Sequence, residues 1–288
     1  AASRWGPTAG CLLCAAAAAL WAAFLSPKKQ QRASAACSIP RVAYRTVLTW
    51  RVPPTSTPYV IDGFSSNNGS FTTKTSRREL LDAYGRATVT LTSSNSYSAH
   101  EHTATLAAYL EEVSLDNTQN NRKQRRANES SYLFGPQPAL DALLATYALP
   151  RCGGAWCAAD ASTVSFGVGG TGSGVGFHRH GPGFAETLHG RKRWLFHVGA
   201  GPPPGFDPDL PTHDWLTQHG SDAAEVLLDC VLGPGELLYF PSDWWHATLN
   251  LDAHTVFVST FVGGSDDDEE DLLGGFLARR GAWEDVSA

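Results

Sequence analysis

No methionine occurs in this chain, and charge of either sign is sparse, at 17 % of residues. Lys and Arg number 22 against 28 Asp and Glu, so there is no basic excess. That balance excludes a broad attraction to phosphate backbones, and nucleic acid is not an expected partner. The six cysteines lack paired CxxC spacing, which argues against a structural zinc site. Neither an internal repeat nor a break in composition divides the 288 residues, a length that can bury one substantial core.

Long apolar runs are scarce too. Residues 9–25 carry no charge and are largely Ala, which is marginal for a bilayer span and fits a secretory h-region better. Residues 1–36 therefore read as a signal peptide, with small residues at Ala33-Ser34-Ala35 for cleavage, or as an uncleaved signal anchor. The sequons at Asn68 and Asn128 stand among polar residues that read as loops, and are expected to carry glycans. Leader and sequons together point to the secretory pathway. Past the leader remain Cys37, Cys152, Cys157 and Cys230, with three pairings open if all are oxidised.

Along the chain, Pro58 to Phe64 (PYVIDGF) reads as a strand stopping at a glycine turn. Ser76, with Glu79 three residues on and Gly85 at the end, frames a short helix over Arg77 to Tyr84. ATVTLTSSNSY alternates as a strand should, and Thr103 to Val113 has helical spacing. From Thr163 onward short β runs divided by Gly and Pro predict a sandwich or barrel: TVSFGVGG, RKRWLFHVG, AEVLLDCVLGPG, ELLYFP, ATLNL and TVFVSTFVG. The acidic run from Asp266 to Asp271 and a short helix after it make up the tail, residues 265–288.

Chemistry concentrates in GFHRHGPG. On a strand, His178 and His180 share one face and can approach one ion together. His246, in SDWWHATLNL, is the best third ligand. Three ligands on one face of an octahedron leave three positions open, enough for a chelating cosubstrate and oxygen on iron. His100-Glu101-His102 has the same spacing but stands at the approach to a helix, with no glycine turn behind it. The remaining histidines (189, 197, 213, 219 and 254) read as exposed or core residues. Within Arg191-Lys192-Arg193, the apolar Trp194-Leu195-Phe196 that follows argues that one cation turns inward, where it could meet the carboxylate of a bound dicarboxylate.

The order of PYVIDGF, GSGVGFHRHGPG, LHGRKRWLF and GPGELLYFPSDWWHATLNL resembles the JmjC family of iron(II) and 2-oxoglutarate dioxygenases. Roughly Cys37 to Gly263 is most similar to a luminal endoplasmic-reticulum member of that family, through FHRHGPG, GRKRW, WWHATLNLD and SSNSYS together. The resemblance implies a mainly β fold, a double-stranded β-helix of the jelly-roll or cupin type over residues 37–264, with flanking N-terminal helices. It implies that His178 and His246 ligate Fe(II) and that Lys192 binds the far carboxylate of 2-oxoglutarate. Thr260, on a late strand, is a further candidate for a cosubstrate contact. His180 stands where catalytic members usually carry Asp or Glu, so one negative charge is missing from the ligand set. The activity implied is hydroxylation of a secretory-pathway polypeptide in the endoplasmic-reticulum lumen, coupled to decarboxylation of 2-oxoglutarate. Histone demethylation is disfavoured, because no zinc finger, reader module or basic tail accompanies the motifs. Two readings compete with it: a catalytically inactive luminal binding protein on the same fold, and a three-histidine cupin dioxygenase that needs no 2-oxoglutarate. Membrane anchoring through the leader and pairing of the chain as a homodimer are compatible with either a working or an inactive site.

Overall fold

The computed structural model describes residues 37–50, 54–64, 68–96, 98, 100–115, 131–150 and 162–262. The leader, the 265–288 tail, Asn128, Cys152 and Cys157 lie outside the described residues. In chain order the elements are β1 (Arg41–Ala43), α1 (Tyr44–Val47), β2 (Tyr59–Asp62), α2 (Gly69–Lys74), α3 (Arg77–Tyr84), β3 (Thr88–Ser93), β4 (Glu101–Thr105) and α4 (Leu106–Leu115). There follow β5 (Ser131–Gly135), α5 (Asp141–Leu144), β6 (Ser162–Gly169), β7 (Gly183–His189), β8 (Lys192–His197), α6 (Thr212–His219), β9 (Leu227–Leu232), β10 (Glu236–Phe240), β11 (His246–Asn250) and β12 (Thr255–Val262).

Among the described residues the strands form a nine-stranded sheet, ordered β1-β2-β10-β7-β12-β6-β5-β3-β4, and a three-stranded sheet, β11-β8-β9. Only β1 and β2 run parallel; the other pairings are antiparallel. This is the jelly-roll architecture expected from the alternation of short strands and Gly/Pro turns.

Each face of the large sheet is covered. Phe71, Leu80, Tyr109, Leu110 and Val113 from α2, α3 and α4 pack against Phe166, Val168, Val256 and Val258. A second cluster, with Trp194, Phe196, Cys230 and Leu232 of the small sheet against Ala185, Leu238 and Phe240 of the large one, forms the interior of the sandwich. β12 is buried on both faces because it runs through the middle of the large sheet, and hence reads as a continuous apolar run. Burial of these side chains contributes about 2 kcal/mol each and is the main term holding the layers together.

The local signals work where they are local. Ser76 accepts from the Glu79 amide and opens α3 at the expected residue. Gly63 ends β2 with φ of 87°, a backbone region that favours glycine. Two expectations shift. The helical spacing begins at Thr103, but Thr103 to Thr105 belong to β4 and the helix starts at Leu106, where the Thr105 hydroxyl accepts from the Ala108 amide. His100-Glu101-His102 therefore lies at the exposed edge of a sheet, not at a helix start. One described cystine joins Cys37 to Cys230, tying the segment before β1 to the middle of β9.

Candidate metal centre

The segment before β7 is laid against β11 by backbone bonds. Asn250 N–H donates to Ser173 at 2.7 Å, Thr248 N–H to Val175 at 2.9 Å, and His246 N–H to His178 at 2.9 Å. Gly174 permits this contact, since a Cβ there would lie 2.1 Å from the Thr248 carbonyl oxygen. Farther upstream, the Ser96 hydroxyl donates to the Phe177 carbonyl at 2.8 Å, so the SSNSYS stretch braces the residue before the first histidine.

His178 and His180 do not sit on a regular strand, as their spacing suggested. His178 makes an isolated bridge with His246, and His180 follows it in an irregular turn, its carbonyl accepting from the Asp243 amide. The rings converge all the same. Their centroids are 4.2 Å apart for His178 and His246, 4.8 Å for His180 and His246, and 5.2 Å for His178 and His180. Potential ligand atoms of the three all lie within 4.8 Å of one another.

Their tautomers are fixed. His178 Nδ1 lies 2.8 Å from the Gly176 carbonyl, His180 Nδ1 2.7 Å from Gly181, and His246 Nδ1 2.8 Å from Trp244. A carbonyl oxygen only accepts, so each Nδ1 carries the proton and each Nε2 keeps a lone pair. This is the outer support that metal-bound imidazoles need. Burial pushes His178 down to about 3, and any charge on His180 or Lys192 would push it the same way. It lowers His180 and His246 as well. All three rings are neutral at neutral pH, the state that ligates.

The rings open into a cavity of about 160 Å³ between the two sheets. Trp194, Phe240, Phe257 and Phe261 contribute to its wall, and the buried Lys192 lines its inner end. Of the three cations in sequence, Arg191 pairs with Asp252 at 2.7 Å and Arg193 with Asp229 at 2.5 Å, both facing outward. Lys192 turns inward and is 1 % exposed. Its Nζ donates to Tyr132 Oη at 3.3 Å and Asn250 Oδ1 at 3.2 Å, both uncharged, and desolvation holds its pKa well below the ordinary lysine value.

Thr260 is a correction. Strand alternation sends Phe257, Ser259 and Phe261 of β12 into the cavity and Thr260 to the opposite face, beside Tyr147 and Glu186. Ser259 is the cavity residue. Asn68 is a second correction: its side chain is 2 % exposed, donates to the Ala148 carbonyl and Glu186 Oε2, and accepts from the Ala148 amide. A glycan has no room on that nitrogen in this fold. Sequence reading also missed Tyr132 and Thr248, which line the cavity near Lys192 from strands far away in sequence. No local signal marks them.

The arrangement has relatives. Residues 164–266 match the JmjC_2 family of JmjC domains. The chain is 37 % identical over 213 residues to JmjC domain-containing protein 8 of Homo sapiens, covering 72 % of this chain and 76 % of that protein. The chain belongs to the JmjC family. The mouse JmjC domain-containing protein 8 is 38 % identical over 215 residues, covering 72 % and 74 % of the two chains. A shorter match, 33 % over 89 residues, links 26 % of this chain to 9 % of Lysine-specific demethylase JMJ21 of Arabidopsis thaliana. JmjC membership makes this an oxygenase-type fold, and the three imidazoles with Lys192 are the residues in it that suit a metal and an anionic cosubstrate.

Proposed function

We infer that this JmjC chain is an iron(II)- and 2-oxoglutarate-dependent oxygenase that hydroxylates a polypeptide of the secretory pathway. The observation that carries the reading is the set of three Nδ1–H donors to backbone carbonyls, which aims three neutral Nε2 atoms into a cavity shared with Lys192. His178, His180 and His246 would hold the metal. When bound, iron(II) with 2-oxoglutarate would activate dioxygen, the oxidant, for C–H hydroxylation.

The protein's part is geometry and electrostatics. Lys192 and Tyr132 present donors to a carboxylate at the inner end of the cavity, and the aromatic wall excludes water around the metal ligands. Because His180 replaces an acidic ligand, the three side chains contribute no negative charge, which leaves the incoming dicarboxylate as the main counter-charge to the metal. The Cys37–Cys230 cystine supports an oxidising compartment, in keeping with an endoplasmic-reticulum address.

A second reading, a non-catalytic luminal binding protein, is favoured by the same imidazole at His180. Succinate formation from 2-oxoglutarate with iron(II) separates the two. Turnover above that of Lys192→Ala supports the oxygenase; equal, background rates in both support the binding protein.

A further inference from the structure

The large sheet ends at β4, whose residues Glu101, His102, Thr103 and Thr105 are exposed. The register fixes the direction of its backbone groups. Ser93 N–H donates to the His100 carbonyl and Leu106 N–H to Ala87, so the hydrogen-bonded pairs with β3 are Ser93 with His100, Leu91 with His102, and Val89 with Ala104. The alternate pairs, Thr92 with Glu101 and Thr90 with Thr103, are the non-bonded ones. Thr90 agrees: its N–H and carbonyl are both taken by the Gln137 side chain on the far side of β3. The N–H and carbonyl groups of Glu101 and Thr103 therefore point away from the sheet, and no partner meets them among the described residues.

This open edge begins at the cavity. Glu101 and Ser98 stand on its rim, and Glu101 is the sole carboxylate among the described residues that line it. The Thr92 side chain, on the same face as Glu101, continues the lining inward.

We propose that the β4 edge is a docking strand for an extended polypeptide, which pairs with the backbone of Glu101 and Thr103 and places a Lys or Arg against the Glu101 carboxylate. Strand addition suits the site because main-chain bonds give affinity without fixing sequence, and alternate side chains of the added strand face the rim. An unprotected edge of this kind is otherwise a liability, and β4 has neither proline nor lysine to blunt it. The proposal rests on the oxygenase reading only for what happens once a side chain has entered the cavity.

The test uses the full chain without added metal, so that docking is measured apart from turnover. A library of random dodecapeptides is selected on the protein, and an enriched peptide is then measured against variants. Thr103→Pro removes an outward N–H, a change an edge strand tolerates, and should weaken binding by about tenfold or more with the melting temperature little changed. Glu101→Lys should shift the selected peptides from basic to acidic at one position. Amide exchange gives a readout independent of any substitution: Glu101 and Thr103 amides, fast in the free protein, should slow on addition of the peptide, while His102 and Ala104 stay slow in both states. Failure to enrich any peptide, unchanged affinity in Thr103→Pro, or unprotected Glu101 and Thr103 amides would overturn the proposal. So would conversion of a dimer to a monomer by Thr103→Pro, which would give the edge to a second copy of this chain. An absence of succinate formation would count against the oxygenase reading and leave these docking results standing.

Discussion

The Lys192 ammonium lies 3.8 Å from the centre of the Phe257 ring, held over its face with no carboxylate beside it among the described residues. Cation–π attraction and two neutral acceptors offset part of the desolvation cost, and a buried lysine without a counter-ion is otherwise expensive. Lys192→Met is therefore expected to stabilise the protein in the absence of cosubstrate, by about 1–3 kcal/mol. Urea unfolding of the two proteins checks it. Addition of 2-oxoglutarate with iron(II) should raise the midpoint of the wild type alone.

Glu186 gives a pH signature. It is fully buried on β7, accepts from Tyr147 Oη at 2.8 Å and Asn68 Nδ2 at 3.0 Å, and burial pushes its carboxyl up to about 7 against those bonds. Between about pH 4.5 and 7 the folded form keeps a proton that the unfolded chain loses. Stability from this group is present below pH 4.5 and is lost as pH rises through 7. Relative to Glu186→Gln, the wild type should lose about 2–3 kcal/mol across that window. Unfolding midpoints of both proteins at pH 4.5, 6 and 8 would show a constant difference if Glu186 did not titrate there.

Asn68 links α2 to the strand network through its amide. Asn68→Ala removes three hydrogen bonds, leaving the Ala148 amide and carbonyl without their Asn68 partner and Glu186 Oε2 with Tyr147 Oη, and should cost about 2–4 kcal/mol. Peptide mapping of the protein from a glycosylating host should find Asn68 unmodified. A glycan at Asn68 on the folded protein would contradict the packing described here.

The Cys37–Cys230 cystine closes a separation of 193 residues and anchors the segment before β1 against the sandwich interior. Cys37→Ala with Cys230→Ala should lower stability by about 2–5 kcal/mol. Denaturant midpoints with and without reductant measure the same difference in the wild type.

Local chemistry was legible in sequence and parity across distance was not. Ser76 with Glu79, the turn at Gly63, and the strand ended by Pro241 are decided by neighbours a few residues away, and each stands where the sequence puts it. The order of His178, Lys192 and His246 was equally readable, because the motifs carry their own turns. Thr260 failed since a one-residue change of phase on β12 decides which face a side chain takes. β7 escaped notice because GFAETLH has a central Glu, and the partners that allow its burial, Asn68 and Tyr147, are 118 and 39 residues away. Asn68 looked like a surface sequon for the same reason. His178 and His180 came together through bonds to β11 and Asp243 rather than through strand spacing.

Anaerobic titration of the purified protein with iron(II) and then 2-oxoglutarate tests the central claim most directly, by the metal-to-ligand charge-transfer absorption of a chelated iron. The account predicts a band at one iron per chain that is lost in both His178→Ala and Lys192→Ala. No band, with no iron retained by the wild type, would contradict it and leave the three imidazoles as neighbours on an inherited scaffold.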